Sequence, residues 1–282
     1  HPNPKTVMVL GLASGITGGE VLNYPIDRLD VLEISGEVVT ASDFFRPWNS
    51  NVLSDPRTNV IIQDGRAHLQ LTDQMYDVIV SEPSNPWMAG LATLFTRDFF
   101  ELGRDRLNEQ GIFVQWLQTY QIDWETVKLI GRTFTDVFPN SIMVATEPAG
   151  SGADYLLVGF KNHTNMSLQN AQRNLVYAQK SQNIILRDPR LFYRLIAAEN
   201  PKEMFGSGPV NSDAHPLLEF SAPKLIYHTD TTIQETIKSR GVLSGQIQEI
   251  VNELRSNIDA QIDFAEYAFS VNAPFRNMVE VP

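Results

Sequence analysis

A chain of 282 residues, 43% of them hydrophobic, can bury a sizeable core as one large domain or as a domain with an appendage. Its 22 Lys and Arg against 33 Asp and Glu leave a net charge of −11 and no basic stripe, which argues against nucleic acid as a partner. The absence of cysteine excludes disulfides, thiolate catalysis and Cys-ligated metal, and no apolar run approaches the ~20 residues of a membrane span.

The first half alternates strand-like and helix-like segments. "TVMVL" (6–10) is a short apolar, β-branched run, followed by the glycine-rich "GLASGITGGE" and then by "LDVLEI" (29–34), the next strand. "NVIIQ" (59–63), "YDVIVS" (76–81) and "GIFVQWL" (111–117) repeat the theme. Between the last two, "FTRDFFELGRDRLNEQG" carries apolar residues at helical spacing, with Gly111 where a helix C-cap belongs. Strands apolar on both faces and separated by helices predict a parallel sheet covered on both sides. "SIMVAT" (141–146) and "DYLLVGF" (154–160), joined by "EPAGSGA", predict a closing antiparallel pair. The expectation is therefore an α/β chain with a class I methyltransferase-like Rossmann fold: a mostly parallel twisted sheet, helices on both faces and a terminal antiparallel hairpin.

From residue 163 onward the sequence reads mostly helical, interrupted by the turn-rich "NPKEMFGSGPVNSDAHPLLEFSAPK". An apolar stripe runs through Ile233, Ile237, Val242, Ile247, Val251, Leu254, Ile258 and Ile262 and suits packing on the sheet, with a second subunit as the alternative that would make a homodimer. The expected division is residues 1–162 as a nucleoside-binding domain and 163–282 as a helical part packed on it.

Ligands of such sheets bind outside the carboxyl ends of the strands, where strand order reverses. Three acids should share that rim: Glu33 at the end of the second strand, Asp64 after the third and Glu82 after the fourth. The loop after the first strand, Gly11-x-x-x-Gly15-x-x-Gly18-Gly19, departs from dinucleotide spacing, although Glu33 follows Gly11 by the interval expected of a ribose-binding acid. It carries no basic residue, which suits a cationic sulfonium nucleoside better than a pyrophosphate. Each acid has a structural alternative as well. Glu82 suits a helix cap, Asp64 an Asx turn over Gly65 and Arg66, and Glu33 an ion pair with Arg28 or Lys5. Trp116 suits the core. The five histidines, His1, His68, His163, His215 and His228, lack metal-ligand spacing, and no G-x-S-x-G elbow marks a serine hydrolase.

The segments "VMVLGLASGITGGEVLNYPIDRLDVLEIS", "DPRTNVIIQDGRAHL", "YDVIVSEPSNPWMAGLATLFTRDFFELGRDRLNEQGIFVQW" and "NSDAHPLLEFSAPK" together resemble the spermidine synthase (polyamine aminopropyltransferase) family. The likeness is to a divergent bacterial branch in which such a domain joins a membrane-spanning transporter-like region, and the abrupt start "HPNPKTVMVLG" fits a piece of a longer chain. The resemblance implies a site for decarboxylated S-adenosylmethionine, S-adenosylmethionine or a related nucleoside as co-substrate, with no tightly bound cofactor and no metal. On the family pattern Gly11, Ser14 and Gly15 face the nucleoside, Glu33 takes the ribose hydroxyls and Asp64-Gly65 faces the adenine. Glu82 occupies the place of the catalytic aspartate, while Asn85 and Trp87 border the amine or polyamine. The pattern has a second aspartate where Asn85 stands and an acid where Ser14 stands. Implied activities are aminopropyl transfer to an amine, with S-adenosylmethionine-dependent methyl transfer and non-catalytic nucleoside or polyamine sensing as alternatives. The implied location is cytoplasmic, as such or as the soluble domain of a membrane protein.

Overall fold

The computed structural model describes residues 1–146, 154–162, 166–228 and 230–279. Eight strands form one sheet: β1 (Thr6–Leu10), β2 (Arg28–Glu33), β3 (Thr58–Ile62), β4 (Tyr76–Ser81), β5 (Leu107–Gln118), β6 (Ser141–Ala145), β7 (Asp154–Phe160) and β8 (Ile196–Glu199). The helices are α1 (Ile16–Val21), α2 (Gly36–Ala41), α3 (Gly65–Leu71), α4 (Arg97–Asp105), α5 (Trp124–Val137), α6 (Leu168–Ala178), α7 (Leu191–Leu195), α8 (Lys202–Phe205), α9 (Leu217–Ser221), α10 (Ile233–Arg240), α11 (Gly245–Ser256) and α12 (Ile258–Val279). Among the described residues no helix is long and apolar enough to cross a membrane.

Strand order is β3-β2-β1-β4-β5-β7-β6-β8. The first five strands pair in parallel, β7 inserts antiparallel beside β5, and β6 pairs antiparallel with β7, giving the expected hairpin. The seven residues 147–153 read as joining that hairpin lie outside the described residues, as does His163. Order reverses between β1 and β4, and the switch point therefore lies between their carboxyl ends.

Alternation along each strand supplies two apolar faces. Met8, Leu10, Ile79 and Phe113 face one layer, where Phe99 and Phe100 of α4 and Phe134 of α5 pack around Phe113 and Phe138. Val7, Val9, Leu29 and Val31 face the opposite layer with Leu22 and Val52. Side-chain caps fix where helices start: Ser35 accepts from Val38 N at 3.3 Å, Thr96 from Phe99 N at 3.2 Å and Asp123 from Thr126 N at 2.8 Å.

Three local readings change. Gly111 lies inside β5 and is not a helix cap. The helix ends earlier, where Arg106 N–H closes on the Leu102 and Gly103 carbonyls and the fully buried Leu107 starts the strand. The segment 196–199, read as helical, instead adds an antiparallel edge strand to β6. The apolar stripe is also not continuous: Gly241 and Asn257 break it into α10, α11 and α12, burying Ile233, Ile237, Ile247, Val251 and Leu254 while Val242, Ile258 and Ile262 stay exposed.

Candidate active site

β1 ends in a turn that only glycine makes cheaply. Gly11 has φ +96° and Gly15, at the start of α1, has φ +80°, both in the left-handed region. Gly11 N–H donates to Leu32 O at 2.9 Å and Glu82 N–H donates to Leu10 O at 2.9 Å, so the ends of β2, β1 and β4 are stitched together at the rim. A cavity of about 260 Å³ opens there, lined by Gly11, Glu33, Gln63, Asp64, Gly65 and Glu82 among others. The three rim acids expected from the strand ends thus meet at one cavity, with Gly11 and Gly65.

Glu33 serves the glycine loop. Its Oε2 accepts from Leu12 N at 3.1 Å and its Oε1 from Ser35 N at 3.1 Å. A carboxylate has about four lone-pair sites, so about two remain for hydroxyls of a ligand. The ion pairs with Arg28 or Lys5 do not form, because Arg28 binds Asp30 and Lys5 binds Asp27. Asp64 has the structural role considered for it, since its Oδ1 accepts from Ala67 N at 2.7 Å and caps α3. The exposed remainder of its carboxylate borders the cavity.

Glu82 follows β4 and is held by a single side-chain donor type. Thr17 Oγ1 lies 3.1 Å from Oε1 and 3.0 Å from Oε2. Among the described residues it makes no ion pair. Burial pushes its carboxyl above the usual glutamate range, and the Thr17 hydrogen bond opposes that only in part. A carboxylate short of partners and raised in pKa is poised to accept a proton.

The remaining expected residues lie outside the cavity wall. Ser14 is tied through its carbonyl, which accepts from the buried Asn49 Nδ2 at 2.9 Å. Asn85 Oδ1 accepts from Tyr120 OH at 3.2 Å, and the Trp87 ring lies edge-on to that of Tyr120 at 6.0 Å. Sequence reasoning missed Thr17, Gln63 and Tyr120. A hydroxyl in the first turn of the helix after the glycine loop was the available signal for Thr17. Gln63 directly precedes Asp64, and Tyr120 stands two residues past the end of β5.

The spermine/spermidine synthase domain model matches residues 1–170. The chain belongs to that family. Among curated relatives, the polyamine aminopropyltransferase of Bacillus subtilis is 29% identical over 175 residues, covering 61% of this chain and 63% of that protein. Putrescine N-methyltransferase 2 of Nicotiana attenuata is 32% identical over 178 residues, covering 58% of this chain and 47% of that protein. The chain thus matches less than two thirds of the length of either relative. The spermidine synthase structure from Thermotoga maritima superposes with a TM-score of 0.53 at 20% identity, covering 90% of this chain and 70% of that chain, a likeness of fold.

Proposed function

We propose that this chain transfers an aminopropyl group from decarboxylated S-adenosylmethionine, or a closely related nucleoside, to an amine. The observation that carries the reading is Glu82: a carboxylate at the switch point, raised by burial, bound by one hydroxyl and open to the cavity. Glu33 would take the ribose hydroxyls on its free lone pairs. Asp64 and Gly65 would border the adenine, and the backbone of Gly11 would lie against the nucleoside.

An acceptor ammonium must first lose a proton, which passes to Glu82. The nitrogen lone pair then attacks the aminopropyl methylene carbon bonded to sulfur. A C–N bond forms as the C–S bond breaks, and its electron pair returns to sulfur, which leaves as the neutral thioether of methylthioadenosine. The positive charge moves from sulfur to nitrogen, so positioning and a fixed negative charge suffice and no covalent intermediate is required.

Methyl transfer to an amine is the second reading, favoured by the match to the Nicotiana attenuata relative, which is named as a putrescine N-methyltransferase. It needs the same base and the same nucleoside grip. Titration calorimetry with S-adenosylmethionine, its decarboxylated form and methylthioadenosine separates the two. Preference for the decarboxylated donor or methylthioadenosine, lost in Glu33→Ala, supports aminopropyl transfer; preference for intact S-adenosylmethionine supports methyl transfer. Binding of none of the three would overturn both. Turnover with amines, lost in Glu82→Gln, is the catalytic half of the test.

A further inference from the structure

Gln63 lines the cavity beside Asp64 and Gly65, on the wall proposed to border the nucleoside's base. Its backbone N–H donates to the Glu33 carbonyl at 3.0 Å, which fixes the residue at the rim. Behind it runs a chain of polar groups that no step of the proposed transfer uses. Gln63 Oε1 lies 3.4 Å from His68 Nδ1, His68 Nε2 lies 3.2 Å from Tyr76 OH, and Tyr76 OH donates to Asp30 Oδ2 at 2.8 Å. Asp30 is fully buried and also accepts from Arg28 Nε and Asn59 Nδ2.

The buried end of this chain forces the direction of every donor in it. A phenol has one proton, and Tyr76 gives it to a carboxylate, so toward His68 its oxygen can only accept. The neutral imidazole therefore carries its proton on Nε2 and a bare lone pair on Nδ1. Facing Gln63 Oε1, that lone pair meets a second acceptor, and no hydrogen bond joins the two. Two arrangements remove the conflict. Either the amide turns over, donates to Nδ1 and presents its oxygen to the cavity, or the ring takes a second proton, donates to Oε1 and leaves the amide's N–H groups for the cavity. Among the described residues the Gln63 side chain has no other hydrogen-bond partner, so His68 alone sets its orientation.

We infer that Gln63, turned by the charge state of His68, reads the 6-substituent of the bound purine: a neutral ring selects a 6-amino purine and a protonated ring removes that preference. The inference rests on the nucleoside reading of the cavity. The amide oxygen beside the exposed Asp64 carboxylate gives two acceptors for the two N–H groups of an exocyclic amine, whereas a 6-oxo purine meets them with an acceptor of its own. Burial holds the His68 ring toward its neutral form; Asp30 of β2 opposes this and Arg28 of β2 reinforces it. Tyr76 of β4 presents a hydroxyl whose proton burial holds in place, and Arg106, after α4, reaches α3 at Leu69 O. On α3 itself the one cation besides His68 is Arg66, which is paired with Asp213.

The test is calorimetric titration of the chain with methylthioadenosine and with its 6-oxo counterpart, methylthioinosine, between about pH 5 and pH 8. The two share ribose and thioether, so protonation of Glu82 or Glu33 that acts through those parts cancels in their affinity ratio. At the upper end methylthioadenosine should bind roughly tenfold tighter, the scale of one hydrogen bond, and the preference should shrink as pH falls through the His68 pKa. By linkage, saturating methylthioadenosine should lower the His68 pKa followed by NMR in the wild-type chain, a readout that needs no variant. Gln63→Met, similar in length but without an amide, should lose most of the preference and its pH dependence. His68→Phe should show a ratio that is flat across the range, which a merely structural His68 would not produce. A pH-independent ratio in wild type, or a His68 pKa unmoved by methylthioadenosine, overturns this inference and leaves the nucleoside site standing. Failure of wild type to bind either nucleoside overturns both.

Discussion

Gly11 lies directly against the backbone of Glu82: a β-carbon built on residue 11 would stand 2.6 Å from the Glu82 carbonyl oxygen. The floor of the cavity and the residue proposed as the base therefore share one close contact. Gly11→Ala must also hold φ near +96°, where an L side chain is strained. The variant is expected to lose more than about 1 kcal/mol of stability and to weaken nucleoside binding in the same step. Denaturant midpoints and calorimetry on the same preparation check both; normal nucleoside binding in a destabilised variant would uncouple the two sites.

Thr17 partly offsets the effect of burial on Glu82. Its hydroxyl lowers a carboxyl that burial raises, so Thr17→Val should lift the Glu82 pKa further and move the acidic limb of the kcat/KM profile to higher pH. Activity would fall at neutral pH and recover as pH rises. Stability runs the other way. The folded chain holds this proton more tightly than the unfolded chain, so the contribution is fully present below the ordinary glutamate value and is lost as pH rises through the raised one. Glu82→Gln should remove that slope, leave the fold at least as stable at neutral pH, and lower kcat by roughly 10²–10⁴-fold. An unshifted acidic limb in Thr17→Val would show that another group limits the rate.

Away from the cavity, Asp30 is fully buried in the middle of β2, where sequence reading placed only an apolar strand. It is satisfied by Tyr76 OH at 2.8 Å, Arg28 Nε at 2.8 Å and Asn59 Nδ2 at 3.1 Å. His68 extends the chain of contacts, its Nε2 lying 3.2 Å from Tyr76 OH, and burial lowers its pKa. Tyr76→Phe keeps the ring and deletes one donor to a buried charge, so it should cost about 1–3 kcal/mol. Urea denaturation measures this, and a loss below about 0.5 kcal/mol would mean that Arg28 and Asn59 satisfy Asp30 unaided.

The parallel half of the sheet was legible because its signals are local. Each strand is a short apolar run, and the acids at three strand ends follow from chain direction alone, which is why Glu33, Asp64 and Glu82 could be named and are found at one cavity. Signals that depend on distant partners were not legible. Strand β8 is only four residues, and its pairing with β6 is a contact across more than fifty positions of sequence. Tyr120 looks like an ordinary residue beyond a strand end until the fold sets it against Asn85 and Trp87. The helical stripe misled because periodicity is blind to breaks: Gly241 and Asn257 reset the helix phase, so residues in register on paper face different ways in space.

Asp64 shows how a structural and a binding role at one position can be separated. Its side chain caps α3 through Ala67 N at 2.7 Å and also borders the cavity. Serine caps a helix about as well as aspartate but is shorter and uncharged. Asp64→Ser should therefore stay within a few tenths of a kcal/mol of wild type in stability, whereas Asp64→Ala, without a cap, should lose about 1 kcal/mol. If the carboxylate also faces the adenine, both variants weaken nucleoside binding to a similar extent despite their different stabilities. If capping is its only role, affinity tracks stability, and Asp64→Ser binds as wild type does. Paired thermal melts and methylthioadenosine titrations of the two variants distinguish these outcomes, since only a ligand contact lowers affinity in the variant whose helix remains capped.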